Sequence, residues 1–178
     1  MKPNYKTGEI LISEGEIQDR VDALAKKIAS ETPGGELLVV GILNGAVIFL
    51  SDLVRCMPPE LDVKIDFMSI SSYGDAVKSS GVVQILKDIG SNINGRNVLI
   101  VEDIIDTGLT LSYLLNTLRT RKPASLRACV LLDKSEKREI SVPIDYCGFT
   151  IPDTFVVGYG LDCAGRWRNL PDIRTLEI

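Results

Sequence analysis

The chain contains no histidine. That absence removes Ser-His-Asp and Cys-His nucleophilic machinery, and it leaves no imidazole to bind a metal or shuttle a proton. Acid–base work falls to carboxylates, lysine or tyrosine, and a metal site would be built from oxygen, which suits Mg²⁺ or another hard cation. Cysteines are few: Cys56, Cys129, Cys147 and Cys163 lie far apart, and no two have Cys-x-x-Cys spacing. Reduced thiols in a cytosolic protein are therefore expected, rather than a disulfide framework. Long apolar runs are missing too. Leu37 to Leu43 stops at Asn44-Gly45, far short of a bilayer crossing, and MKPNYKTGEI has no apolar core of a secretory signal. There is no excess of positive charge, since 20 Lys and Arg stand against 24 Asp and Glu. A general nucleic-acid binder draws its affinity from neutralising phosphates, so this balance disfavours one. The remaining class is a cytoplasmic globular protein without a membrane segment. A length of 178 residues suits a single domain, 1–178.

Ser13 with Glu16 reads as a capping box, and Ile17, Val21, Leu24, Ala25 and Ile28 recur at helical spacing until Thr32-Pro33-Gly34-Gly35 ends the helix. The continuous apolar run Leu37 to Leu43 predicts a strand buried on both faces of a parallel sheet, followed by a helix from Ala46 to about Val54. Val63 to Ile70 alternates as a strand should. Ser71 to Gly81 is polar and glycine-containing, which predicts a loop, with Val82 to Leu86 as its returning arm. Val98 to Val101 reads as a short buried strand ending in acidic residues, ahead of a helix over Thr110 to Leu118. Leu126 to Leu132 and Phe155 to Val157 supply two more strands of the same sheet. Strands alternating with helices predict an α/β, doubly wound sheet with right-handed crossovers. Its ligands should bind beyond the carboxyl ends of the strands.

The densest chemistry lies at such an end, in Val101-Glu102-Asp103-Ile104-Ile105-Asp106-Thr107-Gly108-Leu109-Thr110-Leu111. Three carboxylates cluster where burying charge is costly unless a cation or ligand compensates. Thr107, Gly108 and Thr110 follow at a helix start, where a tight glycine turn, hydroxyls and free N–H groups attract a phosphate. The plainer alternative is an acidic loop with a threonine as helix N-cap. The pattern is neither Gly-x-Gly-x-x-Gly nor Gly-x-x-x-x-Gly-Lys, so dinucleotide and Walker-type readings lose their support.

VEDIIDTGLTL resembles the phosphoribosyl-pyrophosphate motif of the type I phosphoribosyltransferases. ILNGAVIFLSDL, SISSYG with its later SSG, LLDKSEKR and FVVGYGLDCAGRWRNLPDI extend the resemblance through most of the chain, to the hypoxanthine(-guanine) phosphoribosyltransferase branch. It implies the type I fold: a central, mostly parallel sheet flanked by helices, with a small hood. It also implies transfer of a phosphoribosyl group from 5-phosphoribosyl 1-pyrophosphate to hypoxanthine or guanine. The products would be IMP or GMP and pyrophosphate, with Mg²⁺ as cofactor and a homodimer or homotetramer as the assembly.

Position by position, the resemblance makes Asp106 the general base near purine N7. Glu102 and Asp103 would contact the ribose hydroxyls and a metal, and Thr107, Gly108, Leu109 and Thr110 would hold the 5′-phosphate. Lys134 would donate to the 6-oxo group, Phe155 would stack on the base, and the Val156 backbone would meet the purine edge. Asp162 would be a second metal ligand and Arg168 a pyrophosphate ligand. Leu43, Asn44 and Gly45 would form a pyrophosphate loop whose amides are exposed by a cis peptide, with Asn44 standing where relatives often carry Lys or Arg. Ser72 and Tyr73 would belong to a lid over the reacting centre. Read without the family, Lys134 is a solvated lysine in a charged turn, Phe155 is core and Arg168 is a surface arginine. Two other functions remain open: a nucleotide-sensing RNA-binding regulator on the same fold, and a xanthine-preferring transferase.

Overall fold

The computed structural model describes residues 5–72 and 83–177. The elements run β1 (Lys6–Ile12), α1 (Glu14–Ser30), β2 (Glu36–Leu43), α2 (Val47–Arg55), β3 (Asp62–Ser72), β4 (Val83–Lys87), β5 (Asn97–Ile105), α3 (Leu109–Arg119), β6 (Ser125–Asp133), β7 (Tyr146–Thr150), β8 (Val156–Val157) and β9 (Ile173–Glu177). A six-stranded sheet has the order β4-β3-β2-β5-β6-β7, and a three-stranded sheet has β1-β9-β8. In the larger sheet only the β3–β4 pair is antiparallel.

The apolar runs explain why β2, β5 and β6 sit at its centre. Leu37 and Val39 of β2 join Leu99, Val101, Cys129 and Leu131 in one core, packed with α1 and α2. Leu38, Val40 and Ile42 join Val98, Ile100, Ala128 and Val130 in a second core, packed with α3. Strands whose side chains point alternately to two covered faces must be apolar throughout. The two cores on opposite faces make the sheet doubly wound. From β2 the chain moves outward to β3, and from β5 it moves the other way to β6 and β7, so strand order reverses between neighbours β2 and β5. That reversal opens a crevice at the carboxyl ends of both strands.

The capping box is present: Ser13 Oγ accepts from the Glu16 N–H, and the Glu16 carboxylate accepts from the Ser13 N–H at 2.9 Å. Ser13→Ala should lower stability by about 1 kcal/mol in urea unfolding, because the Glu16 N–H loses its acceptor and the Glu16 carboxylate loses the Ser13 hydroxyl; an unchanged midpoint would contradict this.

Two expectations are corrected, and so is the plainer alternative of a threonine N-cap. β5 continues through Glu102 and Asp103 to Ile105, so these acids lie within the strand and not past its end. Phe155 to Val157 is not a strand of the parallel sheet. β8 covers Val156–Val157 and pairs antiparallel with β9, while the place beside β6 belongs to Tyr146–Thr150. Thr107 is not the N-cap of α3; Gly108 is, with φ 87° and no side-chain cap.

Candidate functional site

One cavity of about 350 Å³ lies at the β2/β5 crevice, lined by Leu43, Asn44, Gly45, Glu102, Asp103, Asp106, Thr110, Asp162 and Arg168, with Ile42, Ile70 and Ile104. Nine residues singled out from sequence thus meet on one surface. A slightly larger concavity, about 420 Å³ around Lys26, Ala29, Cys56 and Pro58, brings together no carboxylates.

Each wall has a local cause. Leu43, the last residue of β2, precedes a cis peptide to Asn44. Gly45 follows, and a Cβ there would overlap Asp103 Oδ2, so only glycine lets this turn lie against the acid. The other side of the turn meets the small sheet's connection: a Cβ on Gly160 would collide with the Gly45 carbonyl, and Gly160 has φ 99°. Arg168 donates from Nη1 to the Gly160 carbonyl at 2.6 Å and pairs through Nη2 with Asp162 Oδ1 at 2.6 Å. The second Asp162 oxygen accepts from the Gly165 N–H at 2.7 Å.

Electrostatics mark β5 as the polar heart of the cavity. Burial pushes the Asp103 carboxyl up to about 6, against the pull of the Ile104 N–H, which donates to it at 2.8 Å. Burial first, and the neighbouring Asp103 second, drive Glu102 well above the usual carboxylate range. Glu102 Oε2 is buried and has no hydrogen-bond partner in the protein. Two adjacent acids with an orphaned oxygen are a hard-oxygen donor set short of positive charge, and they fit a divalent cation. Among the described residues no group of three or more His, Cys, Asp or Glu side chains could hold an ion by itself. The remaining ligands would therefore come from water and substrate, as they usually do for Mg²⁺.

Beside the cavity, Lys134 is only 4% exposed, so it is not a solvated lysine. Its Nζ lies 3.5 Å from Asp106 Oδ1 and 3.7 Å from Asp153 Oδ1. Phe155 is 62% exposed and not core. Its ring has the ammonium of Lys134 at 5.6 Å and that of Lys137 at 6.0 Å. An open aromatic face next to a buried donor suits a flat heterocycle. Val156 is buried. Thr107, Gly108 and Leu109 form the turn into α3, with the Leu109 N–H donating to Thr107 Oγ1 at 3.4 Å. Ser72 ends β3, and Tyr73 lies outside the described residues. Asp153 and Lys137, which complete the charge pattern around Lys134 with a 2.9 Å pair, were missed from sequence. They sit in ordinary-looking charged turns, and their partners are brought near only by folding.

A parallel sheet with acids inside a central strand, a glycine turn into a helix and a switch-point cavity defines a phosphoribosyl-transferring class of site. The chain belongs to the phosphoribosyl transferase domain family, which it matches over residues 9–164. Within that class the similar proteins are hypoxanthine-guanine phosphoribosyltransferases. That of Mycobacterium avium is 50% identical over 175 residues, 94% of this chain and 85% of that protein. That of Bacillus subtilis is 47% identical over 169 residues, covering 95% and 93%. The bifunctional protein TilS/HprT of Listeria innocua is also 47% identical, but this chain spans only 26% of its length. Among solved structures, a hypoxanthine-guanine phosphoribosyltransferase from Bacillus anthracis superposes with a TM-score of 0.91 at 44% identity, over 98% of this chain and 100% of that one. No helix among the described residues is long and apolar enough to cross a membrane.

Proposed function

We propose that the protein salvages purines, transferring the phosphoribosyl group of 5-phosphoribosyl 1-pyrophosphate to N9 of hypoxanthine or guanine, with release of pyrophosphate. The observation that carries this reading is the contact between Lys134 Nζ and Asp106 Oδ1 at 3.5 Å. It joins an aromatic, amine-bearing base platform to a carboxylate-lined sugar-phosphate cavity.

In this reading the purine lies on Phe155 with its 6-oxo group accepting from Lys134. Asp106 faces N7. As the N9–C1′ bond forms and the C1′–pyrophosphate bond breaks, the Asp106 carboxylate takes the N7 proton, a role a placed carboxylate performs well. Positive charge grows on the ribose ring during the transfer, and Glu102 and Asp103 stabilise it from below while holding the 2′- and 3′-hydroxyls. Thr107, Gly108, Leu109 and Thr110 hold the 5′-phosphate at the start of α3. Leu43, Asn44, Gly45 and Arg168 receive the departing pyrophosphate; the Arg168 fork exchanges Asp162 for phosphate oxygens, which match it equally well. A bound Mg²⁺, held by Glu102 and Asp103 with Asp162 near a second position, would neutralise charge developing on the leaving group. Ser72 and Tyr73 would belong to a lid that excludes water from the activated ribose. The protein works in the cytoplasm as a homodimer or homotetramer.

The test is a spectrophotometric assay with Mg²⁺ and 5-phosphoribosyl 1-pyrophosphate, each purine offered in turn. IMP or GMP should form; turnover confined to xanthine would reassign the base, and no product from any purine would overturn the reading. Lys134→Met should raise the KM for the purine roughly tenfold or more, because the 6-oxo group loses a buried charged donor. The KM for the phosphoribosyl donor should move far less.

A further inference from the structure

We propose that Arg138 is a positioning residue that fixes the 5′-phosphate turn of the active site from behind. The proposal rests on the purine-transfer reading and deepens it, because it concerns how the phosphate-holding amides are aimed.

In the turn into α3, the carbonyls of Ile105, Asp106 and Thr107 are taken by one segment. The Lys134 N–H donates to the Ile105 carbonyl at 3.0 Å, and Arg138 Nη1 donates to the Asp106 carbonyl at 2.7 Å. The N–H groups of Glu139 and Ile140 both donate to the Thr107 carbonyl, at 3.0 and 3.3 Å. Across a trans peptide the C=O and the next N–H point in opposite directions. Three carbonyls held by residues 134–140 therefore turn the N–H groups of Asp106, Thr107 and Gly108 the other way, toward the side where Asp106 and Thr110 line the cavity. Successive N–H groups directed to one side form an anion-binding nest. The packing beneath is close: a Cβ on Gly108 would lie 3.0 Å from Arg138 Cδ and 3.1 Å from the Ile140 carbonyl.

Among the described residues Arg138 is the one side chain in this arrangement, and the others act through backbone. Its second nitrogen, Nη2, pairs with Asp133 at the end of β6, and the Arg138 side chain is 17% exposed. The guanidinium thus bridges a strand end of the parallel sheet to the carbonyl of the residue assigned as general base. A planar fork can hold two such acceptors at once, whereas an ammonium, a point charge, cannot span both. Arg138 does not line the cavity, so its effect on the ligand passes through the turn.

The test compares wild type with Arg138→Met, Arg138→Lys and Asp133→Asn in the full-length enzyme. Arg138→Met should raise the KM for 5-phosphoribosyl 1-pyrophosphate by roughly tenfold, with the KM for the purine within about twofold and the thermal midpoint little changed. Arg138→Lys should not restore the KM, and Asp133→Asn should reproduce part of the rise although Asp133 cannot reach the phosphate. In ¹H–¹⁵N spectra, titration with IMP should shift the Thr107 and Gly108 amides in wild type and much less in Arg138→Met. Should Arg138→Met not fold, Arg138→Lys carries the same comparison. An unchanged donor KM in Arg138→Met overturns the proposal. So does rescue by lysine together with a normal Asp133→Asn, because that pair of results means direct charge contact with phosphate. Absence of purine turnover in wild type would instead strike the parent reading, which keeps the two failures separate.

Discussion

Asp106→Asn should lower turnover by roughly 10²- to 10⁴-fold while nucleotide binding survives, since an amide keeps the shape of the carboxylate but cannot accept the purine proton. The geometry supports a large effect on rate and a small one on binding. Asp106 sits between the cavity, which it lines, and the ammonium of Lys134. Its main chain is held independently, because Arg138 donates to the Asp106 carbonyl and the Lys134 N–H donates to that of Ile105. Replacing the side chain should therefore leave the phosphate turn in place. Steady-state kinetics with saturating 5-phosphoribosyl 1-pyrophosphate, alongside equilibrium titration with IMP, would check both halves. Near-normal turnover in the variant would remove Asp106 from the proton-accepting role.

Asp103→Asn should stabilise the metal-free protein near neutral pH and at the same time cost roughly 10²-fold in turnover, the scale on which a group stabilising transition-state charge is felt. Its folded carboxyl titrates at about 6, above its ordinary 3.8, so between those values the folded state binds more protons than the unfolded one. Stability must then fall as pH rises through that window. Below it the penalty is absent, and above about 6 it is fully expressed, on the order of 3 kcal/mol for a shift of this size. Asparagine retains an acceptor for the Ile104 N–H and carries no charge. The unfolding free energy of the variant relative to wild type should grow from near zero at acid pH to its maximum above about 6. Adding Mg²⁺ should reverse the order by stabilising wild type alone. A difference that stays flat across pH would mean that these acids carry no buried-charge penalty.

Much of this could be read from residue order. The apolar runs of β2, β5 and β6 named themselves as central strands, because burial on both faces leaves no polar position to confuse the pattern. α1 was legible through Ser13, Glu16 and the helical spacing of Ile17 to Ile28. β1, β7 and β9 were not, since KTGEILI, YCGFT and IRTLE are short and mixed in polarity. Strands of that kind are made by their partners more than by their own sequence.

Residue order alone placed three carboxylates beside a glycine turn, because a local motif acts through atoms a few bonds apart. What only the tertiary structure decided was which distant charges meet it. Lys134 stops being a solvated lysine and Phe155 stops being core because β6 and the chain before β8 end beside β5. Burial of Asp103 likewise depends on Gly45 packing against it, with Gly160 packed in turn against Gly45. Charge energies follow distance and solvent exclusion, and neither quantity exists until remote segments have packed together.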